Sequence, residues 1–368
     1  METVGLETAD ILKRTFKGKN VLVTGHTGFK GSWLSLWLHL LGANVTGYAL
    51  EPNTEQDCFG LSGLKDRITD IRGDVRDDEK LKKVFEACKP QVVFHLAAQP
   101  LVRLSYERPR ETYETNVMGT LNVLECIRHS TSVKAGVLIT SDKCYENREQ
   151  LWGYRENDSL GGYDPYSSSK SCAEILIASY RNSFINPEKY QEHGKIIASA
   201  RAGNVIGGGD WSADRILPDS IRALKEGRPV EVRNPEAVRP WQHVLEPLRG
   251  YMLLACKMYN DGIFYSGAWN FGPDDHSIVP VKEVVEAVVK AWGSGQWAYA
   301  PQKNAAHEAG LLSLDCTKAK AYLGWKPVLD FTEAIQYTVD WYKAYTETDV
   351  HSLCSKQIEA YSHRVAGI

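Results

Sequence analysis

The chain has 368 residues and a formal net charge of −3, and 43% of its residues are hydrophobic. This length and composition indicate two globular domains, or one large α/β domain with an elaborated end. The balanced charge, without a cluster of basic residues, argues against a nucleic-acid-binding protein.

The sequence has no segment typical of export or membrane insertion. Its start, "METVGLETADILKR", lacks a long apolar core, so we expect no signal peptide. The most apolar segment, Trp33–Leu41, is too short to cross a bilayer, and we therefore expect a cytoplasmic protein. The eight cysteines show no CxxC spacing, which predicts reduced thiols and no metal site.

Strand-like and helix-like segments alternate through the first half of the chain. The apolar, strand-like segments cover 20–25, 44–50, 91–98, 135–142 and 195–201, and the helical ones cover 31–42, 78–90, 111–130 and 167–184. Such alternation predicts a doubly wound parallel sheet. The strands lack in–out alternation, as expected where helices cover both faces.

The pattern changes after Arg201, where Gly- and Pro-rich pieces are mixed with helical segments at 279–292 and 331–345. We interpret this part as a smaller, mixed α/β substrate-binding lobe. The predicted domains are therefore 17–200, for a dinucleotide, and 201–350, for the substrate, and the second can return an element to the sheet. Residues before Lys17 are expected to be peripheral.

Three glycines mark the junction between the first strand and the first helix, in the segment "VTGHTGFKG". Gly25 permits a tight turn, Gly28 lets the backbone touch a pyrophosphate, and Gly31 lets helix and strand pack closely. Free N–H groups and the positive end of the helix dipole make this junction an anion site. A glycine triplet alone is weak evidence, but a strand before it and a helix after it predict a Rossmann-like dinucleotide site.

Two acidic residues follow later strands, where the adenosine half of a dinucleotide would lie. Glu51 lies about twenty residues past the glycines, the position of an acid that binds the ribose hydroxyls of NAD. No Arg or Lys occurs between Leu41 and Lys65 to hold a 2′-phosphate, which favours NAD over NADP. Asp74 could accept a hydrogen bond from the adenine amino group. Alternatively, Glu51 is a loop carboxylate and Asp74 a turn residue.

A tyrosine and a lysine in "YDPYSSSK" supply candidate catalytic groups. Tyr166 and Lys170 are four residues apart and would share one face of a helix. A neighbouring ammonium stabilises a phenolate, and we expect it to lower the pKa of Tyr166 towards working pH. A phenolate of this kind can take a proton from a sugar hydroxyl while a hydride leaves for nicotinamide. The Y-x-x-x-K spacing becomes specific only together with the glycine motif.

The motifs "TGHTGFKG", "HLAAQP", "ETNVMGT" and "YSSSK" resemble those of the extended short-chain dehydrogenase/reductases that act on nucleotide sugars. The resemblance extends from Lys17 to about Tyr345. It implies that Asn116 helps to hold the active-site geometry, or is simply a helix residue paired with a neighbour. It also implies NAD contacts for the turn, for the strand ends and for the catalytic pair, namely Gly25, Thr27, Gly28, Phe29, Lys30, Gly31, Glu51, Asp74, Val75, Leu96, Ala97, Ala98, Asn116, Thr140, Tyr166 and Lys170.

The segment "LITSDKCY" distinguishes subgroups within that family. By resemblance, Ser141 takes the Ser/Thr position that bonds O4 of the sugar, and Asp142–Lys143 replaces the Asp-Glu pair of other 4,6-dehydratases. This departure resembles the CDP-glucose 4,6-dehydratases, as do "GNVIGGGDW" and "RPWQHVLEP". It implies a tightly held NAD that is recycled each turnover, and deoxysugar formation for lipopolysaccharide O-antigen. The alternative is a surface ion pair at a strand end.

Dehydration asks for an acid and a base. Oxidation at C4 acidifies the C5 proton, a base removes it, and water leaves from C6 with the help of an acid. We predict that burial raises the pKa of Asp142, so that it can serve as the acid. Lys143 is either the C5 base or an electrostatic stabiliser of the enolate, and the sequence does not decide between these roles.

Arginines in the second lobe suit the diphosphate of a nucleotide sugar. Resemblance places Asn204 near the sugar phosphates and Arg239 at the position that contacts the diphosphate. The predicted substrate contacts are Gln99, Asn204, Arg215, Arg239 and His243, and Arg201 and Arg233 are further candidates. Each arginine could also be only a surface charge. Cytosine rather than uracil is implied by the resemblance alone.

Other functions stay open on the sequence. They are another nucleotide-sugar 4,6-dehydratase, a 4-epimerase, a non-catalytic NAD(H)-sensing protein and an RNA-associated member of the family. Asp142 and Lys143 argue against the epimerase, the intact Tyr166–Lys170 pair against the sensor, and the missing basic face against RNA. The helical segments 112–129 and 167–184 resemble those that form a four-helix interface in this family, which implies a homodimer or homotetramer.

Overall fold

The structure is a computed structural model that describes residues 10–301 and 310–367. A seven-stranded sheet forms its centre, in the order β3-β2-β1-β4-β5-β6-β10, and every strand pair within it is parallel. The strands of the described chain are β1 (Asn20–Thr24), β2 (Asn44–Ala49), β3 (Thr69–Arg72), β4 (Val92–His95), β5 (Ala135–Ile139), β6 (Ile196–Ala202), β7 (Asn204–Ile206), β8 (Val230–Val232), β9 (Val238–His243), β10 (Gly267–Phe271), β11 (Ile278–Pro280) and β12 (Trp297–Tyr299).

Helices cover both faces of this sheet. The α-helices of the described chain are α1 (10–16), α2 (Phe29–Leu40), α3 (Cys58–Leu61), α4 (Asp78–Cys88), α5 (Val102–Glu107), α6 (Pro109–Tyr113), α7 (Gly119–His129), α8 (Pro165–Ser183), α9 (Tyr190–His193), α10 (Ile216–Lys225), α11 (Leu245–Asp261), α12 (Val281–Trp292), α13 (Phe331–Ala344) and α14 (Val350–Ala366). None of the helices within the described ranges is long and apolar enough to cross a membrane. The doubly wound parallel sheet predicted from the sequence is thereby confirmed.

The two faces of the sheet bury separate apolar cores. Along β1, Val21 and Val23 pack on the side of α2 and α11, whereas Leu22 packs on the side of α4, α7 and α8. Because helices bury both faces, the central strands carry apolar residues on both sides and lack a regular alternation of apolar and polar residues. A parallel sheet also brings the carboxyl ends of all its strands to one edge, where ligands bind in such folds.

The second part of the chain builds two small sheets and also completes the large one. One small sheet has the order β11-β9-β7 and the other pairs β12 with β8. β10 returns to the main sheet beside β6, and α11 covers that sheet with residues that are buried nearly all round. The division into domains 17–200 and 201–350 stays a prediction, because these elements cross it.

The residues before Lys17 are less peripheral than expected. Positions 10–16 are helical, and Leu12 and Phe16 are buried in the larger core, at 3% and 0% exposure. The spacing of these two apolar residues, one helical turn apart, places both on the face that meets the sheet. Residues 1–9 lie outside the described part of the chain.

The predicted helix over 111–130 is continuous but contains one widened turn. Residues Glu114–Met118 form a π-helical turn between α6 and α7. Such turns often occur at functional sites, because the wider backbone re-aims a side chain. Asn116 lies in this turn, and its side chain is directed into the protein, at 1% exposure.

Candidate active site

The glycine turn lies where β1 meets α2, and each glycine has its own physical reason. Gly25 has φ +76°, and a Cβ there would approach Ala97 N within 2.6 Å. A Cβ on Gly31 would collide with the Gly25 carbonyl group. Gly28 has open space around it, with no atom nearer than the Gly25 oxygen at 3.5 Å. The turn is therefore closed on the protein side by two glycines and open to a ligand at the third.

The first turn of α2 lacks a side-chain cap, because its N-cap residue is Gly28. Uncapped N–H groups at a helix N-terminus attract an anion. Leu96, Ala97 and Ala98 follow β4 directly beside this turn, and the Leu96 and Ala97 amides bond to Thr24. Thr27 holds the other flank, where its hydroxyl donates to the Leu50 carbonyl oxygen at 3.0 Å. This groove has the shape and the free donors that a dinucleotide pyrophosphate needs.

The adenosine end of the groove contains an arginine that the sequence reasoning missed. Arg72, at the end of β3, lies 3.4 Å from the Glu51 carboxylate and 2.9 Å from Asp70. Glu51 itself is largely exposed, so its carboxylate is accessible to a ribose. Arg72 lies beyond Lys65 in the sequence, but the parallel pairing of β2 with β3 places it beside the end of β2, close to Glu51.

Asp74 is paired with Arg76, and its predicted adenine contact stays a prediction. Both of its carboxylate oxygens accept hydrogen bonds from Arg76, at 2.6–2.9 Å. Burial opposes ionisation, but these bonds from Arg76 hold the pKa of Asp74 below its usual value. Val75 is buried against Gly119, and so it positions α7 with its side chain.

A cavity of about 1340 Å³ opens beside the carboxyl ends of β5 and β6. Many of the residues predicted for the site line this cavity, from the glycine turn, from the end of β5, from α8 and from the second part of the chain. They are Phe29, Lys30, Thr140, Ser141, Asp142, Lys143, Tyr166, Asn204, Arg215 and Arg239. These residues come from five separate stretches of the sequence, at 29–30, 140–143, 166, 204–215 and 239. The shared edge of the parallel sheet brings them together.

Tyr166, Ser141 and Asp142 lie together in this cavity. The Ser141 hydroxyl donates to Asp142 Oδ1 at 3.0 Å, and it lies near enough to the Tyr166 phenol to favour the ionised form of that phenol. Ser141 in turn accepts a bond from the Lys143 amide at 3.2 Å, which fixes the turn after β5. Asp142 Oδ2 is buried and has no hydrogen-bond partner within the described structure. The cluster therefore presents a phenol, a hydroxyl and a carboxyl group together to a ligand.

Burial moves the pKa values of these groups in specific directions. Burial raises the pKa of Asp142, against the opposing charge of Lys143 and the bond from Ser141, as an acid catalyst requires. Burial also raises the pKa of Tyr166, to about 12. The expected lowering by Lys170 is thus wrong for the protein without ligand, because desolvation dominates and the Lys170 ammonium donates to the Ile139 carbonyl oxygen at 3.4 Å.

Burial lowers the pKa of two lysines of the site. Burial lowers the pKa of Lys170 to about 8, against the opposing charge of Glu174. Burial likewise lowers the pKa of Lys30 to about 8, and the charges of Lys170 and Arg215 act in the same direction. At Lys30 itself two positive groups therefore act against the ammonium, and the Asp142 carboxyl group is the one that favours it. An anionic ligand would relieve this imbalance.

Two of the predicted substrate contacts, Gln99 and His243, have side chains that are engaged inside the protein. The Gln99 amide bonds Leu101 and Thr112, and so it holds its own loop rather than a sugar. His243 is fully buried between the rings of Trp33 and Tyr337, and burial lowers its pKa to about 3. His243 ends β9 and Gln99 lies in the loop after β4, and both side chains are directed into the protein.

Arg201 and Arg233 have different surroundings although both were candidates for phosphate. Arg201 is 3% exposed and pairs with Glu174 at 2.7 Å, so it cannot reach a substrate. Arg233 lines the cavity and contacts Asp214 at 3.0 Å. Asp214 also contacts Arg103 at 3.2 Å, and so it joins arginines from two parts of the chain.

Asn116 ties the loop after β4 to α8. Its side-chain oxygen accepts a hydrogen bond from the backbone N–H of Gln99 at 2.8 Å, and its side-chain nitrogen donates to the Ser169 hydroxyl at 2.9 Å. These bonds fit both interpretations of Asn116, a residue that helps to hold the active-site geometry and a helix residue paired with its neighbours, so its role stays a prediction. No group of three or more metal-ligating side chains occurs among residues 10–301 and 310–367.

Comparison with known proteins places this site in a family. A family profile described as GDP-mannose 4,6 dehydratase matches residues 22–338. The chain belongs to this family. The predicted resemblance to the extended short-chain dehydrogenase/reductases that act on nucleotide sugars is thereby confirmed.

Individual relatives cover nearly the whole chain. The CDP-glucose 4,6-dehydratase of Salmonella typhimurium is 52% identical over 94% of this chain and 96% of its own length. The dTDP-glucose 4,6-dehydratase of Streptomyces antibioticus is 28% identical over 88% of this chain and 92% of its own. Among solved structures, the Thermus thermophilus UDP-glucose 4-epimerase in complex with NAD has a TM-score of 0.73 and 26% identity, covering 88% and 98% of the two chains.

Proposed function

We propose that the protein is an NAD-dependent CDP-glucose 4,6-dehydratase that forms CDP-4-keto-6-deoxyglucose and water. The observation that carries the proposal is the cluster of Tyr166, Ser141 and Asp142 in one cavity, with Asp142 Oδ2 buried and unpartnered. A 4-epimerase needs only the tyrosine and the serine, whereas loss of water from C6 also needs an acid. The 52% identity to the Salmonella protein supports cytidine as the nucleoside.

The groove at the glycine turn fits the dinucleotide. Gly28 leaves room for the pyrophosphate, the first turn of α2 offers uncapped N–H groups, and Leu96–Ala98 form the opposite wall. Glu51 is exposed for the ribose hydroxyls, which favours NAD over NADP. When bound, NAD accepts a hydride from the sugar and later returns it, and its oxidised ring brings a positive charge to the site.

Tyr166 and Ser141 act on the hydroxyl group at C4. Ser141 orients that hydroxyl, and the Tyr166 phenolate oxygen takes its proton as the C4–H bond breaks. The pKa of about 12 in the protein without ligand means that the phenol keeps its proton until a positive charge is near. Lys170, Lys30 and Arg215 line or adjoin the same site and supply part of that charge.

Asp142 is the proposed acid for the departing C6 hydroxyl. Burial raises its pKa and so favours the protonated carboxyl group, and its unpartnered Oδ2 is in position to deliver that proton. The proton goes to O6 as the C6–O6 bond breaks, so that water leaves. Lys143 lines the cavity next to Asp142 and is the candidate for the C5 proton, either as its base or as the charge that stabilises the enolate.

The diphosphate is proposed to bind in the part of the cavity formed by the second lobe. Asn204, Arg215 and Arg239 line it there, and Arg233 lies at the same wall. Arginine forks match phosphate oxygens in geometry and charge. Arg215 also contacts Asp210 at 2.8 Å, which fixes its direction.

We also propose a homodimer or homotetramer that uses the outer side of α7 and α8. Exposed apolar side chains occur in this region, at Met118, Ile175 and Phe184. Solvent-facing apolar residues grouped along one helix pair are typical of a protein interface.

A substrate panel tests the function. The protein is incubated with CDP-glucose, dTDP-glucose, UDP-glucose and GDP-mannose, and products are analysed by mass spectrometry. We expect the loss of one water from CDP-glucose in preference to the others. Release of NAD on denaturation is measured on the same sample. A 4-epimerised sugar without mass loss, or no product from any substrate despite bound NAD, would contradict the proposal.

A further inference from the structure

A buried ion pair lies directly beneath the catalytic pair and belongs to no step described so far. Tyr166, Lys170 and Glu174 are spaced four residues apart along α8 and therefore share one helix face. Glu174 is 3% exposed, and its carboxylate contacts Arg201 at 2.7 Å. The first two residues of this row serve the chemistry, which raises the question of what the third contributes.

The Glu174 carboxylate joins three separate elements. Its Oε1 accepts from Thr140 at 2.5 Å, and its Oε2 accepts from Ser199 and Arg201, both at 2.7 Å. Thr140 immediately precedes Ser141 at the end of β5, and Ser199 and Arg201 belong to β6. The carboxylate therefore holds α8 at a set distance from the turn that carries Ser141 and Asp142.

Arg201 extends the same network to the far edge of the site. Its guanidinium donates to the Tyr145 hydroxyl at 2.7 Å and to the Glu156 carbonyl oxygen at 3.1 Å. Tyr145 follows the Asp142 turn, and its hydroxyl donates to Asn270 of β10 at 2.8 Å. A buried pair with this many satisfied bonds is rigid, and removing one partner would leave an uncompensated charge.

Glu174 is also the carboxylate that acts on the charge of Lys170. The charged or titratable groups that face Lys170 are Lys30 from α2, His95 from β4, Cys144 from the turn after β5, and Glu174 and Tyr166 on its own helix. Burial lowers the pKa of His95 to about 3 and raises the pKa of Cys144, so both are neutral. Lys30 disfavours the ammonium, and Glu174 favours it.

The groups that face Glu174 keep it ionised. The positive groups are Arg201 from β6, and Lys170 and Arg181 on its own helix. Cys144 also faces Glu174 but is neutral. Burial opposes ionisation, but Arg201 and the bonds from Thr140 and Ser199 hold the pKa of Glu174 below its usual value. A permanent negative charge thus lies one helical turn beyond a lysine that burial would otherwise discharge.

We propose that Glu174 is a positioning residue of this enzyme: its buried carboxylate keeps the Lys170 ammonium protonated and holds the Ser141–Asp142 turn against α8. The inference rests on the proposed function only for its kinetic readout. Glu174 does not touch substrate and acts through Lys170 and Thr140.

The test compares Glu174→Gln with Ser199→Ala and Arg201→Lys. Glu174→Gln removes the charge and keeps the shape, Ser199→Ala removes one bond to the same carboxylate, and Arg201→Lys keeps both charges. The protonation of Lys170 is measured directly, by competitive acetylation with acetic anhydride across pH and mass analysis of the peptide that contains it. We expect the midpoint to fall on the order of one pH unit in Glu174→Gln and to stay near wild type in the two controls.

A second readout isolates the first chemical step in the holoenzyme. CDP-6-deoxyglucose can be oxidised at C4 but has no C6 hydroxyl to lose, so the absorbance of the reduced cofactor reports only the Tyr166–Lys170 step. Its alkaline limb should move to lower pH in Glu174→Gln by the same amount as the acetylation midpoint. If the analogue is not oxidised by wild type, the proposed function fails, whereas the acetylation result still stands.

Poor folding of Glu174→Gln does not remove the test. The double variant Glu174→Gln/Arg201→Gln replaces the ion pair by an amide pair and leaves no unpaired buried charge. Glu174 acts on the Lys170 pKa more strongly than Arg201 does, so the midpoint should still fall. An unchanged midpoint in a folded protein without the Glu174 carboxylate would overturn the inference, as would an equal shift in Ser199→Ala.

Discussion

At the scale of single residues, the same physical effect serves one catalytic group and restrains another. Burial raises the pKa of both Asp142 and Tyr166. For Asp142 the raised pKa preserves the proton that an acid must give. For Tyr166 it keeps the phenol neutral until positive charge arrives, so proton removal from the sugar is coupled to a loaded site.

The proposed roles of Asp142 and Tyr166 predict different failures. Asp142→Asn should still oxidise C4 but should lose water about 10²–10⁴-fold more slowly, since an amide cannot give up a proton as an acid. Stopped-flow absorbance would show reduced cofactor accumulating with CDP-glucose. Tyr166→Phe, the comparison variant, should show neither reduced cofactor nor product. Wild-type turnover by Asp142→Asn would assign the acid elsewhere.

Lys143 can be assigned by the fate of the C5 hydrogen. In deuterated water, Asp142→Asn should exchange the C5 hydrogen of the oxidised sugar, because the base still works while elimination is blocked. If Lys143 is the base, the double variant Asp142→Asn/Lys143→Met should not exchange it. If exchange continues at a reduced rate, Lys143 stabilises the enolate and another group removes the proton.

Residue type alone did not reveal which arginines meet phosphate. Arg201 and Arg233 look equivalent in the sequence, but one is enclosed with Glu174 and the other lines the cavity. Glu174 was missed altogether, although its spacing from Lys170 was readable as the next position on the same helix face. For Gln99 and His243, a position near the end of a strand did not reveal that the side chain is directed into the protein.

At the scale of elements, the turn between β1 and α2 separates packing from binding. Gly31 meets the Gly25 carbonyl group, whereas Gly28 meets no atom within 3.4 Å and has φ −76°, a backbone conformation open to any residue. The three glycines are alike in sequence. Their different surroundings follow from the angle at which α2 leaves the strand.

This difference predicts opposite results for two similar substitutions. Gly31→Ala should destabilise folding by about 1–3 kcal/mol, because its Cβ overpacks the turn. Gly28→Ala should leave the unfolding midpoint in denaturant nearly unchanged and weaken NAD binding, because its Cβ occupies the proposed pyrophosphate space. Denaturant unfolding and calorimetric titration with NAD measure both. Unchanged NAD affinity in Gly28→Ala would place the pyrophosphate elsewhere.

At the scale of the whole molecule, the second part of the chain contributes to the first. β10 pairs with β6, and Asn270 of β10 accepts from Tyr145 beside the catalytic turn. The C-terminal helix α14 packs through Tyr361, which bonds Glu246 and Arg249 of α11. The site is therefore supported from both parts of the chain, and cutting the chain near residue 200 would remove structural partners of the dinucleotide part.

The proposed oligomer predicts the effect of one surface charge. Ile175 is 59% exposed on α8, the helix that also carries Tyr166 and Lys170. Ile175→Glu should shift the mass measured by light scattering towards that of one 41.2 kDa chain. Tyr299→Glu, at an exposed aromatic residue on β12, serves as the matched control and should not change the mass. Equal masses for wild type and Ile175→Glu would rule out this face.

The sequence by itself determined the features that depend on local spacing. The alternation of apolar strands with helices gave the doubly wound sheet, and the turn at 25–31 and the pair Tyr166–Lys170 could be located because their geometry follows from strand–turn–helix connection and helical periodicity. Only the tertiary structure decided which distant groups meet, namely Glu174 with Arg201 and Arg72 with Glu51. It also decided that Asp142 is buried. Such pairings depend on how strands far apart in the chain are ordered in the sheet, and burial, which sets the pKa values, exists only once they are packed.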